Sequence, residues 1–403
     1  MAYNIKHKLS TYISMLLLTL PTLSCVDEAT CEGPEQGVPT RTLLVYLAGD
    51  NNLSAISQIP QSILSVWKYT GNHCIIYYDA PDATPKLLSL RGGCSTSPTP
   101  FIETIAEYKE ENSASAAVFE RVIHDVFQMY PADSYGLLFC SHSSGWLPTG
   151  TLAKPSGRSI GSDQNPGTSA PSGYKEMELS NFVTAIADWQ FDFIIFESCL
   201  MAGVEVAYEL RNKTKYILAS SAEILSPGFL PIYKSSFNNL MNTKIPVEKS
   251  LKEWGLNYFN EMNTQSGVRR SATLSLIKTG RMAELASETS KIIKNKNITK
   301  EKLDLSFLQH FDRPGSYGDN PAAPRYFDFG EYIKQLTEPS QYAIFSALID
   351  NIVIWKASTP YFMEGDNGFP IQSHSGLTTY IEQDIFPFLN EAWRRTAWRQ
   401  AIE

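Results

Sequence analysis

Four runs of consecutive apolar residues occur along the chain, and turn-forming or polar residues follow each of them directly. The runs are TLLVYLAGDNN at 42–52, CIIYYDAP at 74–81, YGLLFCSHSSG at 135–145 and FDFIIFESC at 191–199. Short continuous runs of Val, Ile, Leu and Phe are typical of strands that are buried on both faces of a mainly parallel sheet. We therefore predict four strands of one such sheet.

Segments with helical periodicity separate these runs and continue beyond them. We predict helices at 113–130 and at 178–189, the second with Ser180 as its N-cap. Further predicted helices cover 247–262, 282–295, 327–336 and 388–402, and further strands cover 270–278 and 375–382. Alternation of strands and helices predicts an α/β fold, a doubly wound and mainly parallel sheet flanked by helices.

The first residues predict export from the cell. Basic residues precede an apolar segment that is too short to anchor the chain by spanning a membrane, so we interpret residues 1–24 as a signal peptide. Leu23 and Ser24 before Cys25 resemble a bacterial lipobox, although Thr22 departs from that pattern. We expect Cys25 to be lipidated and to tether the protein to the cell envelope through a lipid anchor. Simple secretion is the alternative.

The rest of the chain divides into three parts by composition. Residues 25–39 form a flexible leader, 40–235 an α/β domain, and 236–403 a C-terminal subdomain that extends the sheet or packs on it. With 403 residues, 43% of them hydrophobic, the chain can bury a large core. A net charge of −8, without a long Lys/Arg run, argues against a nucleic-acid partner.

The six cysteines are too few for a disulfide scaffold in a chain of this length. An exported protein can pair some of them, and Cys74 with Cys94 is one such pairing. No cysteine or histidine cluster has the spacing of a zinc site.

Reactive side chains follow the predicted strands directly. Asp50, Asp79, His142, Glu197 and Cys199 each come at or just after the end of an apolar run. In open α/β sheets the ligand site lies beyond the carboxyl ends of the strands, so we expect these residues to gather at one edge. Such a gathering of a thiol, an imidazole and carboxylates indicates catalysis.

Cys199 and His142 form the strongest catalytic pair. We expect Cys199 to end a strand and open a helix, whose N-terminus lowers the pKa of a thiol. His142 lies in the polar loop SHSSGW, where an imidazole can activate that thiol as a base. Cys140 is a second thiol near His142, but it lies within the apolar run and is expected in the core.

The stretches LLVYLAGDNNLS, YGLLFCSHSSGW, FDFIIFESCLMAGVEVAYEL, ASSAEILSPGFLP and SGLTTYI occur in an order that resembles the clostripain family of cysteine peptidases. The resemblance covers roughly residues 40 to 400, and the lipoprotein-like start is similar to exported members from Bacteroidales. It implies a caspase-like fold and hydrolysis of peptide or protein substrates. It also implies His142 as general base, Cys199 as nucleophile, and the backbone N–H groups of Ser143 and Cys199 as donors to the oxyanion.

Two residues depart from the family pattern. Ser143 stands where the family commonly has Gly, which costs activity if that position needs a positive φ. Glu197 stands where Asp usually forms the floor of the pocket for the substrate's P1 residue, so Arg or Lys at P1 stays the expectation. The longer arm favours Lys over Arg, or another residue. Legumain-like enzymes have Glu at this place and cleave after Asn, and a carboxylate that only caps a helix is the structural alternative.

Three further expectations concern Asp50, processing and calcium. Asp50 either lines the P1 pocket or ties down its loop. The loop 148–177 is rich in Gly, Pro and Ser, and the resemblance implies self-cleavage there, at Lys154, Arg158 or Lys175. No cofactor is required. Some family members need calcium, and Asp163 is a candidate oxygen ligand for it, although no EF-hand spacing is present.

Two other functions remain open. A surface lipoprotein that binds peptides without cleaving them is favoured by Ser143 and Glu197, whereas the retained pair of His142 and Cys199 favours the peptidase. An acyl transferase or peptide ligase would use the same thioester chemistry and differ only in the group that attacks the acyl-enzyme.

Overall fold

The computed structural model describes residues 31, 33, 35–81, 83–151, 160–163, 175–294, 303–315 and 322–403. The predicted signal peptide, Cys25, Lys154 and Arg158 lie outside these residues. None of the helices in the described part is long and apolar enough to cross a membrane.

Fifteen strands are formed by the described residues. They are β1 (Arg41–Ala48), β2 (His73–Ala80), β3 (Ala83–Arg91), β4 (Phe101–Glu107), β5 (Ser134–Cys140), β6 (Ile160–Asp163), β7 (Lys175–Met177), β8 (Phe191–Glu197), β9 (Thr214–Ala219), β10 (Thr273–Lys278), β11 (Phe327–Asp328), β12 (Val353–Ser358), β13 (Tyr361–Phe362), β14 (Phe369–Pro370) and β15 (Thr378–Thr379).

Eleven α-helices are formed by the same residues. They are α1 (Ile59–Leu64), α2 (Ala116–Met129), α3 (Leu179–Thr184), α4 (Val204–Glu209), α5 (Tyr233–Met241), α6 (Val247–Asn263), α7 (Met282–Ile293), α8 (Phe329–Leu336), α9 (Pro339–Ile352), α10 (Pro387–Arg394) and α11 (Ala397–Ile402).

Nine strands form one central sheet in the order β12-β10-β9-β8-β5-β1-β2-β3-β4. The five inner strands, from β9 to β2, run parallel, and antiparallel strands extend both edges. The four apolar runs become β1, β2, β5 and β8, which are adjacent in this sheet. The predicted mainly parallel α/β sheet is therefore confirmed.

Helices cover both faces of the sheet and bury a separate apolar cluster on each. On one face, α2, α3, α4 and α7 to α11 pack on residues such as Phe139 and Phe196. On the other, α1, α5 and α6 pack on residues such as Leu138 and Ile195. Alternate residues of one strand thus enter different layers, as the pleat requires. Burial of both faces explains why the inner strands are continuously apolar.

The helix α2 shows how the pattern determines an element. Ser115 is its N-cap, and the Ser115 side chain accepts a hydrogen bond from the Val118 N–H. Buried apolar residues then recur with helical spacing; they are Val118, Phe119, Val122, Ile123 and Val126. The apolar stripe and the cap together place the helix against the sheet.

Several predicted elements are wrong in their extent; the helix predicted at 388–402, for example, is divided into α10 and α11. The helix predicted at 178–189 is α3, which ends at Thr184, and its N-cap is Glu178 instead of Ser180. Leu179, which precedes Ser180, is buried and already helical, so the helix begins before the predicted cap. The strand predicted at 375–382 is only the two residues of β15, paired with β11.

The disulfide pairing suggested for Cys74 is wrong. Cys94 bonds to Cys31, with Cα atoms 5.8 Å apart. Cys74 lies inside β2, fully buried as a free thiol, where the sheet directs its side chain into an apolar layer.

Strands from both sides of residue 235 belong to the central sheet, since β9 precedes this residue and β10 and β12 follow it. Residue 235 itself lies within α5. The division of the chain at 235 stays a prediction.

Candidate active site

The carboxyl ends of β1, β5 and β8 meet at one edge of the sheet, because these strands are parallel and adjacent. A cavity of about 210 Å³ opens there. Side chains from each strand end line it, together with a segment that follows β9; among them are Asn52, His142, Glu197, Cys199, Glu223 and Gly228. The structure thus brings together His142, Glu197 and Cys199 as the strand order implied.

His142 is held by the loop that follows β1. The His142 Nε2 atom lies 2.6 Å from the Asn52 Oδ1 atom, and only 8% of His142 is exposed. On the backbone, the Gly161 N–H donates to the His142 carbonyl. Because an amide oxygen can only accept, the contact requires a proton on Nε2 and leaves Nδ1 as the basic nitrogen of the neutral ring.

The loops that carry His142 and Cys199 are in direct contact. Gly145 has a φ of 63°, and a Cβ atom at this position would lie 2.5 Å from the Leu200 carbonyl oxygen. Only glycine allows this approach. A second contact joins the loops, since the Ser143 hydroxyl donates to the Met201 sulfur over 2.7 Å. These contacts fix the imidazole loop against the thiol loop.

Cys199 lies in a turn and does not open a helix, which corrects the prediction. β8 ends at Glu197, Leu200 has a left-handed φ of 61°, and α4 begins only at Val204. The helix dipole acts within the first turn, so it does not lower the pKa of this thiol. Burial instead raises the pKa of Cys199 to about 12, and the nearby Glu223 carboxylate adds to this effect.

The segment after β9 runs beside the thiol. The Ile224 N–H lies 3.4 Å from the Cys199 sulfur, and the Leu200 N–H donates to the Ala222 carbonyl. Within this segment, Glu223 forms an ion pair of 2.8 Å with Arg313, which is largely buried. The nucleophile candidate therefore lies between the β5 loop and this segment.

Ser143 does not have the positive φ that would make it costly. The described non-glycine residues with positive φ are Trp189, Leu200, Met363 and Asn367. Serine can therefore replace glycine at this position without backbone strain.

Glu197 lies with its side chain on the α5 and α6 face of the sheet, 6% exposed. The Phe229 N–H donates to its Oε1 atom over 2.6 Å, and the Tyr233 hydroxyl donates to its Oε2 atom over 2.7 Å. Burial raises the pKa of Glu197 to about 7, although the hydrogen bonds from Tyr233, Phe229 and Cys140 oppose that rise.

Asp50 is not among the residues that line the cavity. Its neighbour Asn51 ties down the loop, because the Asn51 amide donates to the Ala48 and Ser162 carbonyls, each over 2.9 Å. Asp50 instead lies near Asp79, whose pKa its charge helps to raise.

Two other residues that the sequence analysis singled out, Cys140 and Asp163, are buried in the fold. Cys140 is 4% exposed and packs in the α5 and α6 layer, although it reaches the base of the cavity. Asp163 is buried, and its Oδ2 atom accepts hydrogen bonds from the Ser113 N–H and hydroxyl. In the described part of the chain, no group of three or more metal-ligating side chains is arranged to hold a metal ion.

Sequence reasoning missed several residues of the site, among them Asn52, Glu223 and Tyr233. Asn52 stands in the polar GDNN stretch after β1, directly beside residues that the strand-end argument did consider. Tyr233 gives no such signal, because it begins α5, far from Glu197 in the sequence.

The model of the Clostripain family (Peptidase_C11) matches residues 45–384. A solved structure of an inactive zymogen C11 protease from Parabacteroides distasonis shares 27% identity, with a TM-score of 0.74, over 91% of this chain and 98% of that one. A secreted C11 cysteine protease from Bacteroides thetaiotaomicron, solved with an irreversible peptide inhibitor, shares 25% identity, with a TM-score of 0.73, over 90% of this chain and 99% of that one.

A comparison with curated protein sequences gives no match. The family match nevertheless covers most of the chain, and the similar structures extend over nearly the whole length of both proteins. The mainly parallel sheet with helices on both faces is accordingly the caspase-like fold of C11 proteases. The chain belongs to the clostripain family of cysteine peptidases.

Proposed function

We propose that the protein is a cysteine endopeptidase in which Cys199 is the nucleophile and His142 the general base and acid. The observation that supports this most is the packing of the two loops, in which Gly145 lets the His142 loop approach the backbone of Leu200. Both side chains line the same cavity. A thiol and an imidazole placed at one cavity supply the two groups that nucleophilic catalysis requires.

The proton of Cys199 has to be removed during the reaction. With a pKa of about 12, the thiol is protonated at neutral pH. His142 Nδ1 accepts this proton as sulfur attacks the scissile carbonyl, and the imidazolium then protonates the leaving amine. Water hydrolyses the acyl-enzyme. Asn52 acts as a positioning residue, because it holds Nε2 and leaves Nδ1 for the proton.

Two backbone N–H groups are assigned to the tetrahedral oxyanion, those of Ser143 and Cys199. They belong to the two loops that meet at the cavity, and preorganised donors of this kind stabilise developing negative charge. A serine with negative φ can supply its N–H as glycine would.

Glu197 makes a basic P1 residue the best-supported substrate. Glu197 lines the cavity, and no Lys or Arg side chain is among the described residues that do so. A cationic P1 side chain would therefore enter an electronegative pocket, whereas an acidic one would be repelled.

Self-processing in the 148–177 loop is part of the proposal. The similar P. distasonis structure is described as an inactive zymogen, which supports activation by cleavage. Lys175 is exposed at the start of β7, paired with Asp163 of β6, so cleavage after it requires local opening of this ladder. Lys154 and Arg158 lie outside the described residues. N-terminal sequencing of an active preparation would identify the bond, and a fully active intact chain would exclude this part.

Export is supported by the Cys31–Cys94 disulfide, because disulfides persist in oxidising compartments. Lipidation of Cys25 extends this to an envelope lipoprotein. Metabolic labelling with a radioactive fatty acid should label the wild-type chain and leave Cys25→Ser unlabelled. Equal release of both chains into the medium would favour simple secretion.

A requirement for calcium is not part of the proposed mechanism and stays a prediction. Activity assayed in a chelator and after calcium is added back would test it directly, and an unchanged rate in the chelator would exclude it.

The experiment that tests the function is cleavage of a positional peptide library by the wild type, Cys199→Ala and His142→Ala. Cys140→Ala is the matched control, since it removes the other thiol that reaches the cavity. We expect both dyad variants to lose cleavage and the control to retain it. A folded wild type that cuts nothing, even after limited nicking of the 148–177 loop, would favour a peptide-binding protein.

A further inference from the structure

A short segment after β9 surrounds the Glu197 carboxylate completely enough to occupy both of its oxygens. Phe229 contributes its backbone N–H to Oε1, and Tyr233 contributes its hydroxyl to Oε2. Gly228 makes the approach feasible, because its φ is 64° and a Cβ atom there would lie 2.2 Å from Oε1. These contacts fix the position and the orientation of the carboxylate.

The position of the Tyr233 hydroxyl is itself fixed by packing. Tyr233 is fully buried, and its ring lies edge-on against Trp254, with the centroids 5.5 Å apart. Glu197 continues the column of Phe193 and Ile195 on the same face of β8, so it points at α5 and its tyrosine. The hydrogen bond to Oε2 therefore lies within the packed core.

The cavity contains one other carboxylate, Glu223, and it is already engaged. Arg313 donates to both Glu223 oxygens, over 2.8 and 3.2 Å. Among the described residues that line the cavity, Glu197 is therefore the carboxylate that can pair with a cationic P1 side chain.

Lysine and arginine differ in the number of free lone pairs that they need on that carboxylate. Each carboxylate oxygen has two lone pairs, and at Glu197 the Phe229 N–H, the Tyr233 hydroxyl and the Cys140 thiol use three of these four. Arginine binds a carboxylate best with two parallel N–H donors, one for each oxygen. A lysine ammonium is a compact charge that needs a single remaining lone pair.

We propose that Tyr233, together with the Phe229 N–H, makes this P1 pocket select lysine over arginine. Tyr233 acts here as a specificity-determining residue, which holds the carboxylate but does not contact the reacting atoms. The inference rests on the proposed peptidase function and on Glu197 as the floor of the P1 pocket.

The test compares kcat/KM for two matched peptides with Lys or Arg at P1, for the wild type and for Tyr233→Phe. We expect the wild type to prefer Lys by about tenfold, and the variant, which frees a lone pair on Oε2, to bring the two substrates to near equality. The change should come mainly from faster cleavage of the Arg peptide. Both proteins are assayed over an alkaline pH series and compared on the plateau where Glu197 is ionised, because loss of the Tyr233 hydrogen bond raises the pKa of Glu197 further.

Tyr258→Phe is the control variant. Its hydroxyl is buried in the same layer with no hydrogen-bond partner among the described residues, so removing it should leave the preference unchanged. An Arg preference in the wild type, or an unchanged ratio in Tyr233→Phe, would overturn the inference. Failure of the function looks different, because neither peptide would then be cut and Cys199 would not react with a peptide inhibitor.

Discussion

Two buried glutamates, Glu197 and Glu205, have similar surroundings but different roles. Burial raises the pKa of both carboxyl groups. Each accepts hydrogen bonds from a backbone N–H and an aromatic side chain. Glu197 lines the cavity with Cys199, whereas Glu205 is sealed inside the helical layer.

The partners of Glu205 show its structural role. Its Oε1 atom accepts hydrogen bonds from Thr379, the Tyr380 N–H and the Trp393 indole, over 2.9 to 3.1 Å. These donors belong to the C-terminal part of the chain, so Glu205 joins α4 to that part. A buried carboxylate with a raised pKa is therefore not by itself a sign of catalysis, and access to a cavity distinguishes the two residues.

The largest expected effect is on substrate cleavage by Glu197→Gln. Loss of the negative charge should lower kcat/KM for a peptide with Lys at P1 by about 10³-fold, since a buried cation would lose its counter-charge. A peptide with norleucine at P1, which has no charge, should be cut at a nearly unchanged rate. A similar decrease in kcat/KM for both peptides would mean that Glu197 supports the structure of the site and does not bind the P1 side chain.

Glu205→Ala should instead act on stability. It leaves the Tyr380 N–H and the Trp393 indole without an acceptor, whereas Thr379 keeps the Tyr380 carbonyl, and we expect the free energy of unfolding to fall by about 3 kcal/mol in urea denaturation. Glu197→Ala should cost less than half of this, because water in the cavity can satisfy Tyr233 and the Phe229 N–H. The Lys-to-norleucine ratio of Glu205→Ala should match the wild type, and a changed ratio would contradict the division of roles.

The pH dependence of P1 preference should reveal the titration of Glu197. Its pKa of about 7 lies above the usual value, so the ionised form that binds lysine appears only as pH rises through 7. The Lys-to-norleucine ratio of kcat/KM should therefore increase about tenfold from pH 6 to pH 8, because kcat/KM reports the free enzyme. The ratio cancels the titration of the dyad. A flat wild-type ratio would contradict the assignment, and Glu197→Gln should give a flat one.

The smallest effect is expected for Trp393→Phe, which removes one donor to Glu205. Trp398→Phe is the matched control, because the Trp398 indole N–H is buried and has no hydrogen-bond partner in the part of the chain that the structure describes. Both changes lose ring volume, but Trp393→Phe should cost about 1 kcal/mol more in thermal or urea denaturation. Equal losses would show that the indole hydrogen bond contributes nothing to the role of Glu205.

The sequence was most informative where chemistry and local pattern coincide. The runs that form β1, β5 and β8 are apolar because both faces of the sheet are covered, so their ends, and with them His142 and Cys199, could be located. The start of the helix after Cys199 could not be located, because an extra turn with Leu200 in the left-handed region separates the two.

Contacts between distant parts of the chain could not be predicted from the sequence. Nothing local marks Tyr233 as the partner of Glu197, and Cys31 lies in a leader whose approach to Cys94 depends on how the whole chain folds. Asn52 lies beside residues that the sequence did single out, but its role could not be predicted. An asparagine after a strand is equally typical of a residue that only stabilises a loop, which is the role of Asn51.

The most direct test of the account is covalent labelling with a peptide acyloxymethyl ketone that has lysine at P1, followed by mass spectrometry. We predict an adduct on Cys199 of the wild type, formed at least tenfold more slowly in Glu197→Gln and not at all in His142→Ala. An adduct on Cys140, or a folded wild type that stays unlabelled before and after nicking of the 148–177 loop, would contradict the proposed site.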